Sequence, residues 1–351
     1  MTIIHITSTL GGGGAEQMVL QLARQSNSTH KTIVVSLSDV FVALEKRFKY
    51  HNIEYYILGV NSFKNSSLLN GLKQFKSISY DLEDVVIHCH MFPAALFGIL
   101  YKMRHPKTKL MFTLHSNVLE SSSQRLILFF TKLLRFKDII FSHKGKKWYL
   151  KSNCEIIPNG VIFKEFDFEQ RTISKGKFSF LFIGRLSHEK SPFRLIEATQ
   201  QLLAKNITDF EIKFVGDGIL KSKLSLQIKT LKLESYIKLV GFQDDINPYL
   251  RDANCLVLPS LWEGLPVVII EAAASRLPII STPVGSIPDF LNNTNAYLSS
   301  LENFDIAMLK VMQNYNEALA KSEGLYQEIK STFEIENVFK KHLKLYKTSL
   351  K

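Results

Sequence analysis

Cysteine is scarce: Cys89, Cys154 and Cys255 are scattered along 351 residues. An odd, dispersed set gives neither a disulfide framework nor a clustered thiolate metal site, and it suits a reducing cytosol. Long apolar runs are missing as well. The best candidate, FPAALFGILY at 92–101, falls short of the roughly 18 residues a spanning helix needs. The opening MTIIHITSTLGG has neither the basic leader nor the apolar core of a signal peptide, and reads as a first strand. Acidic residues number 32 against 44 Lys and Arg. No aromatic-basic recognition module or zinc spacing accompanies that excess, so nucleic acid is not an expected partner. A cytoplasmic protein, soluble or peripheral on the inner face of the plasma membrane, is expected.

What is present is ordinary folded protein, 46% hydrophobic and 22% charged, long enough for two domains. The positive charge is concentrated. Lys102 to Lys151 hold twelve Lys and Arg against Glu120 and Asp138, an excess of ten. Within it, RLILFFTKLLRFK at 125–137 sets Arg125, Lys132, Arg135 and Lys137 among Leu, Ile and Phe, as a basic amphipathic helix does. Such a helix makes residues 102–151 a candidate contact with an anionic membrane. Its apolar stripe would equally serve to cover its own domain, with the lysines merely solvated.

Short Val/Ile-rich segments alternate with helical patterns, the βαβ rhythm of a parallel sheet covered on both faces. TIIHIT, KTIVVSLS, IEYYIL, DVVIHCH, KLMFTLHS, DIIFSH and CEIIP form a first series of strands. FSFLFIGR, EIKFVGDG, YIKLVGF, NCLVLPS and LPIISTP form a second. The fold class is therefore α/β, with two Rossmann-like doubly wound domains and a cleft expected at the carboxyl ends of their strands. Expected boundaries are 1–165, a polar linker at 166–177, 178–330, and a closing helix at 331–351 that packs back on the N-terminal domain.

Several loops carry chemistry. Gly11 to Gly14, after the first strand, let backbone approach a ligand and leave N–H groups at a helix start. No acidic residue ends the second strand, so a dinucleotide reading is weak. Arg185 and Lys190 follow FLFIG and place two cations where a diphosphate would sit. In LWEGLPVVIIEAAAS, seven residues separate Glu263 from Glu271. Pro266 suits the first turn of a helix, which puts Glu263 and Gly264 in a loop and Glu271 on the helix. Helix-dipole and ion-pair roles are the plainer accounts of these two carboxylates.

In order, GGGGAE, IHCH, FTLHS, IPNGV, FIGRLSHEK, FVGDG, VGF, LPSLWEGLPVVIIEAAA and PVGSIPDF make a set that resembles the family 4 retaining glycosyltransferases, two-domain enzymes of B-type fold. The resemblance spans nearly the whole chain. It implies transfer of a sugar from a nucleotide diphosphate donor, with no cofactor or metal, the leaving phosphate oxygen taking the acceptor's proton. By the same resemblance Arg185 and Lys190 grip the diphosphate, Glu263 meets the transferred sugar and Glu271 the ribose. Gly264 and Leu265 hold sugar and phosphate through backbone, Gly12, Gly13 and Gly14 approach the phosphates, and Val240 and Phe242 line the base pocket. His115 faces sugar and acceptor, and His90 lies on the acceptor side. Catalysis is thus expected of His115, Arg185, Lys190 and Glu263. The expected donor is a UDP-hexose or UDP-N-acetylhexosamine, with GDP-mannose next. The expected acceptor is a lipid-linked glycan of capsule, O-antigen or other surface polysaccharide synthesis. A sugar-nucleotide epimerase of similar fold and a non-enzymatic basic membrane or nucleic-acid binding protein are the alternatives.

Overall fold

A computed structural model describes residues 1–40, 42–115, 119, 121–168 and 176–351. It divides into two compact units, Met1–Val161 with Thr332–Lys351, and Ile162–Ser331. The crossings fall after Val161 and Ser331 rather than after 165 and 330. Of the linker expected at 166–177, residues 169–175 lie outside the described residues.

The first unit carries β1 (Thr2–Thr7), β2 (Lys31–Ser36), β3 (Glu54–Ile57), β4 (Val85–His90), β5 (Lys109–Thr113), β6 (Lys137–Ile140) and β7 (Glu155–Ile156). These form one parallel sheet in the order β3-β2-β1-β4-β5-β6-β7. The second unit carries β8 (Phe178–Ile183), β9 (Phe210–Val215), β10 (Ile237–Gly241), β11 (Cys255–Leu258), β12 (Ile279–Ser281) and β13 (Tyr297–Leu298). Their order is β10-β9-β8-β11-β12-β13, again parallel. In each sheet the order reverses beside the first strand, which creates a switch point at the carboxyl edge. The two-residue β13 is too short to leave a pattern in the sequence.

Both faces of the first sheet are buried, so its strands are apolar almost throughout. Side chains still alternate between faces. Ile4, Ile6, Ile33, Val35, Ile87 and Cys89 join one core, whereas Val34 joins another with Val19, Leu20 and Phe48. His5 falls between Ile4 and Ile6, and His88 and His90 flank Cys89, so the imidazoles share the opposite face. His5 pairs in register with His88. Helix Ile335–Leu350 brings the buried His342 and Tyr346 to the same face, where the ring centroids of His88 and His342 are 5.5 Å apart.

The basic segment departs from expectation. Its helix runs only from Ser122 to Phe130, followed by a 3-10 turn at Lys132–Leu134 and then β6. The reason is Arg135, which is not a surface cation. Its Nε and Nη2 donate to Asp138 Oδ1 and Oδ2 at 2.6 and 2.9 Å, and both side chains are wholly buried.

Candidate active site

In the second unit the expected donor residues gather on loops at the carboxyl edge of the sheet. β8 leads to Arg185 and the turn His188–Lys190, β10 holds Val240 near its end and leads to Phe242, and β11 leads to Glu263. Lys190 Nζ lies 2.5 Å from Glu263 Oε1, with the two side chains 18% and 8% exposed. Ser260 Oγ donates to the same carboxylate oxygen at 2.6 Å. Arg185 is exposed and has no ion pair among the described residues. Two residues expected to act on one donor are thus brought into direct contact, with a guanidinium on the same loop as the lysine. A lysine has three donors, so Lys190 can hold Glu263 and still offer N–H to an anion.

Neighbouring loops brace this arrangement. Leu261 N donates to Glu189 O at 2.8 Å, and Leu186 N to Asp217 O at 2.9 Å. Gly285 has φ +61°, and a Cβ there would lie 2.1 Å from Glu263 O. Only glycine fits, because the left-handed backbone and the close approach both exclude a side chain. Ser286 N donates to Gly264 O at 3.1 Å, fixing the same loop. Leu265 is buried and Phe242 is 45% exposed. Pro266 caps helix Val267–Ala274 rather than occupying its first turn, and Glu271 is half-buried on that helix.

The first unit carries the other expected residues. Helix Gly14–Asn27 begins with Gly13 as its cap, in extended conformation and without a side-chain cap bond. Gly12, Gly13 and Gly14 therefore stand at a helix start. Glu16, buried in the first turn, already answers the local dipole and accepts from Thr9 Oγ1 at 2.8 Å.

His90 is fully buried, with Nε2 3.0 Å from His5 Nδ1 and Nδ1 2.9 Å from His115 Nε2. Both ring nitrogens are occupied, so in this chain of rings His90 stands between His5 and His115. The next residue, Met91, is non-glycine at φ +69°, a strained conformation at the turn from β4 into helix Met91–Arg104. His88 Nδ1 meets Tyr346 Oη at 2.7 Å and its Nε2 meets Thr113 Oγ1 at 2.7 Å. Burial pushes His5 and His115 down to about 3 and His342 to about 4, and holds His88 and His90 well below the usual imidazole value. The cluster is neutral at pH 7.

Ring nitrogens of His5, His88 and His90 lie within 4.8 Å of one another. His5 Nε2 is the one nitrogen of the three rings without a hydrogen-bond partner among the described residues. A cation would have to break bonds already formed. His5, His88, His342 and Tyr346 were not singled out from the sequence for a site, although histidines at period two within β4 were the available signal.

Comparison with known proteins bears first on the second unit. Residues 163–317 match the family model described as glycosyl transferases group 1. The second unit therefore carries the glycosyl transferases group 1 signature. An uncharacterised glycosyltransferase of Methanocaldococcus jannaschii is 30% identical over 242 residues, 61% of this chain and 58% of that protein. The match thus spans little more than half that relative's length. The UDP-Gal:alpha-D-GlcNAc-diphosphoundecaprenol alpha-1,3-galactosyltransferase of Escherichia coli is 27% identical over 264 residues, covering 68% of this chain and 67% of that enzyme. Among solved structures, Anabaena HepE in complex with UDP and glucose has a TM-score of 0.87 at 17% identity, covering 99% of this chain and 100% of that one. That likeness shows the fold alone, the two-domain B-type fold.

Proposed function

We propose that this glycosyltransferase moves a hexose or N-acetylhexosamine from a UDP donor to a hydroxyl of a lipid-linked glycan, with retention and without a metal, in surface polysaccharide synthesis. The Lys190–Glu263 contact, with Arg185 exposed on the same loop, carries the reading. Cations at that place neutralise a diphosphate as its bond to the sugar breaks, and preorganised charge of this kind supplies much of a transfer barrier. The leaving phosphate oxygen then takes the acceptor's proton on the same face of the sugar. The UDP-galactose donor and diphosphoundecaprenol acceptor in the name of the Escherichia coli relative support the donor and acceptor classes.

Replacing Arg185 by Ala is the cleaner test, since it deprives no carboxylate of its partner, whereas Lys190→Ala also takes a cation away from Glu263. Transfer from labelled UDP-sugars should fall about 10²- to 10³-fold in kcat/KM for each. Unchanged turnover in both would remove the phosphate-clamp assignment.

We further infer that the first unit docks on an anionic membrane at the inner leaflet. Phe129, Phe130, Leu126, Leu133 and Trp148 are exposed, the last two by 92% and 56%. Phe129 meets Phe130 edge-on and Trp148 at a tilt, with ring centroids 5.4 and 5.5 Å away, and Lys132 Nζ lies 4.4 Å from its ring. Apolar rings among exposed lysines such as Lys144 and Lys146 complement a negative surface. Flotation with phosphatidylglycerol vesicles should show binding at low salt that weakens as salt rises. A Phe130→Ser, Leu133→Ser variant should bind about tenfold less, and failure of the parent to float at low salt would defeat the proposal.

A further inference from the structure

His5, His90 and His115 form a chain of rings joined by two nitrogen-to-nitrogen contacts of 3.0 and 2.9 Å. Each contact needs one N–H and one lone pair, and a neutral imidazole carries a single N–H. The protons must therefore all run one way. Either every ring is protonated on Nδ1, with His5 donating to His90 and His90 to His115, or every ring is protonated on Nε2 and the donors point back.

The buried end distinguishes the two. His5 is wholly buried and its Nε2 has no partner among the described residues. In the second arrangement that atom is an N–H with nothing to receive it. Orphaned buried N–H groups are the rarest of unsatisfied groups, and under-satisfied acceptors are better tolerated. The first arrangement leaves only a lone pair there.

We propose that His5 is a remote positioning residue: through His90 it fixes His115 in the Nδ1–H tautomer, so that His115 presents a donor, not an acceptor, to whatever its Nδ1 meets. For transfer, this rests on the reading that His115 faces the reacting sugar and acceptor. A hydroxyl oxygen of either would then accept from Nδ1–H. Neighbouring groups hold the arrangement still. His88, in register with His5, is tied to Tyr346 and Thr113, and His342 Nδ1 is 3.0 Å from Val338 O.

The test uses the full chain labelled with 15N-histidine. Two-bond proton–nitrogen spectra at pH 7.5 should show His115 with a protonated Nδ1 and an unprotonated Nε2. An Nε2–H tautomer for His115 overturns the proposal. His5→Asp puts a carboxylate oxygen, an acceptor only, near the position of Nδ1; it turns the His90 proton to Nε2 and should shift His115 toward Nε2–H, with kcat about tenfold lower and donor KM unchanged. His5→Asn, whose amide can donate from near the position of Nδ1, should restore both tautomer and rate. A His5→Asp protein that stays folded and keeps the His115 tautomer overturns the proposal. A shifted tautomer with unchanged kcat supports the chain's polarity and overturns the reading of His115 on which its part in transfer rests.

Discussion

Lowering the pH from 7 to 5 is expected to lower the melting temperature of this protein steeply, before its carboxylates begin to protonate. An imidazole takes up its proton near pH 6.5 in the unfolded chain, whereas burial delays this to about 3 for His5 and His115 and about 4 for His342. Between those limits the unfolded state binds more protons than the native one, so stability rises with pH. It is fully present above about pH 7 and is lost as pH falls below 6.5. Each such histidine contributes a slope of about 1.4 kcal/mol per pH unit. Three together remove about 4 kcal/mol over one unit, against a total stability of roughly 5–15 kcal/mol. Thermal melts from pH 8 to pH 5 measure this directly. A flat profile would mean the imidazoles are not buried as described, and His342→Leu should make the slope shallower by about one histidine's share.

Asp138→Ala should be the most damaging single change outside the site, by about 3–5 kcal/mol. Arg135 lies in a fully enclosed place where Asp138 receives two of its N–H groups, while Nη1 donates to Leu128 O at 2.9 Å and Thr131 Oγ1 at 3.0 Å. Asp138 Oδ2 also accepts from Lys151 N at 2.8 Å. Removing the carboxylate leaves a buried guanidinium without a counter-charge. Removing both charges is different, since well-packed apolar replacements of a buried pair are often neutral. Urea unfolding of Asp138→Ala and of the Arg135→Met, Asp138→Leu double variant separates the cases. The double variant should be the more stable, and equal losses in both would show that packing, not charge, holds the region. The charge excess of residues 102–151 is untouched by this pair, which cancels within itself.

The strands were legible because alternation and β-branched runs are properties of short segments. The loops that hold Lys190 and Glu263 were legible too, since they follow strands whose carboxyl ends the pattern places; the roles expected of the two residues came from the family resemblance. Arg135 misled for the opposite reason. The apolar-basic pattern does not distinguish a buried arginine from a solvated one, although the partner Asp138 lies only three residues on. His88 and His342 belong to the same class: their contact joins β4 to a helix that arrives after the whole second unit. Gly285 was visible only as part of PVGSIPDF, and its purpose depends on how near Glu263 O comes. Where the boundary falls, after Val161 rather than 165, is set by backbone pairing of Val161 with the segment at 333–335, which composition does not record.

That return of the chain to its first unit has a consequence for synthesis. Helix Ile335–Leu350 covers the imidazole face of a sheet whose strands are made first. Domains otherwise tend to complete themselves in order as they leave the ribosome. Here the second unit, continuous from Ile162 to Ser331, has all its residues available before the first does. The earliest part of this chain to be translated is the last to be sealed, and until then its histidines face water.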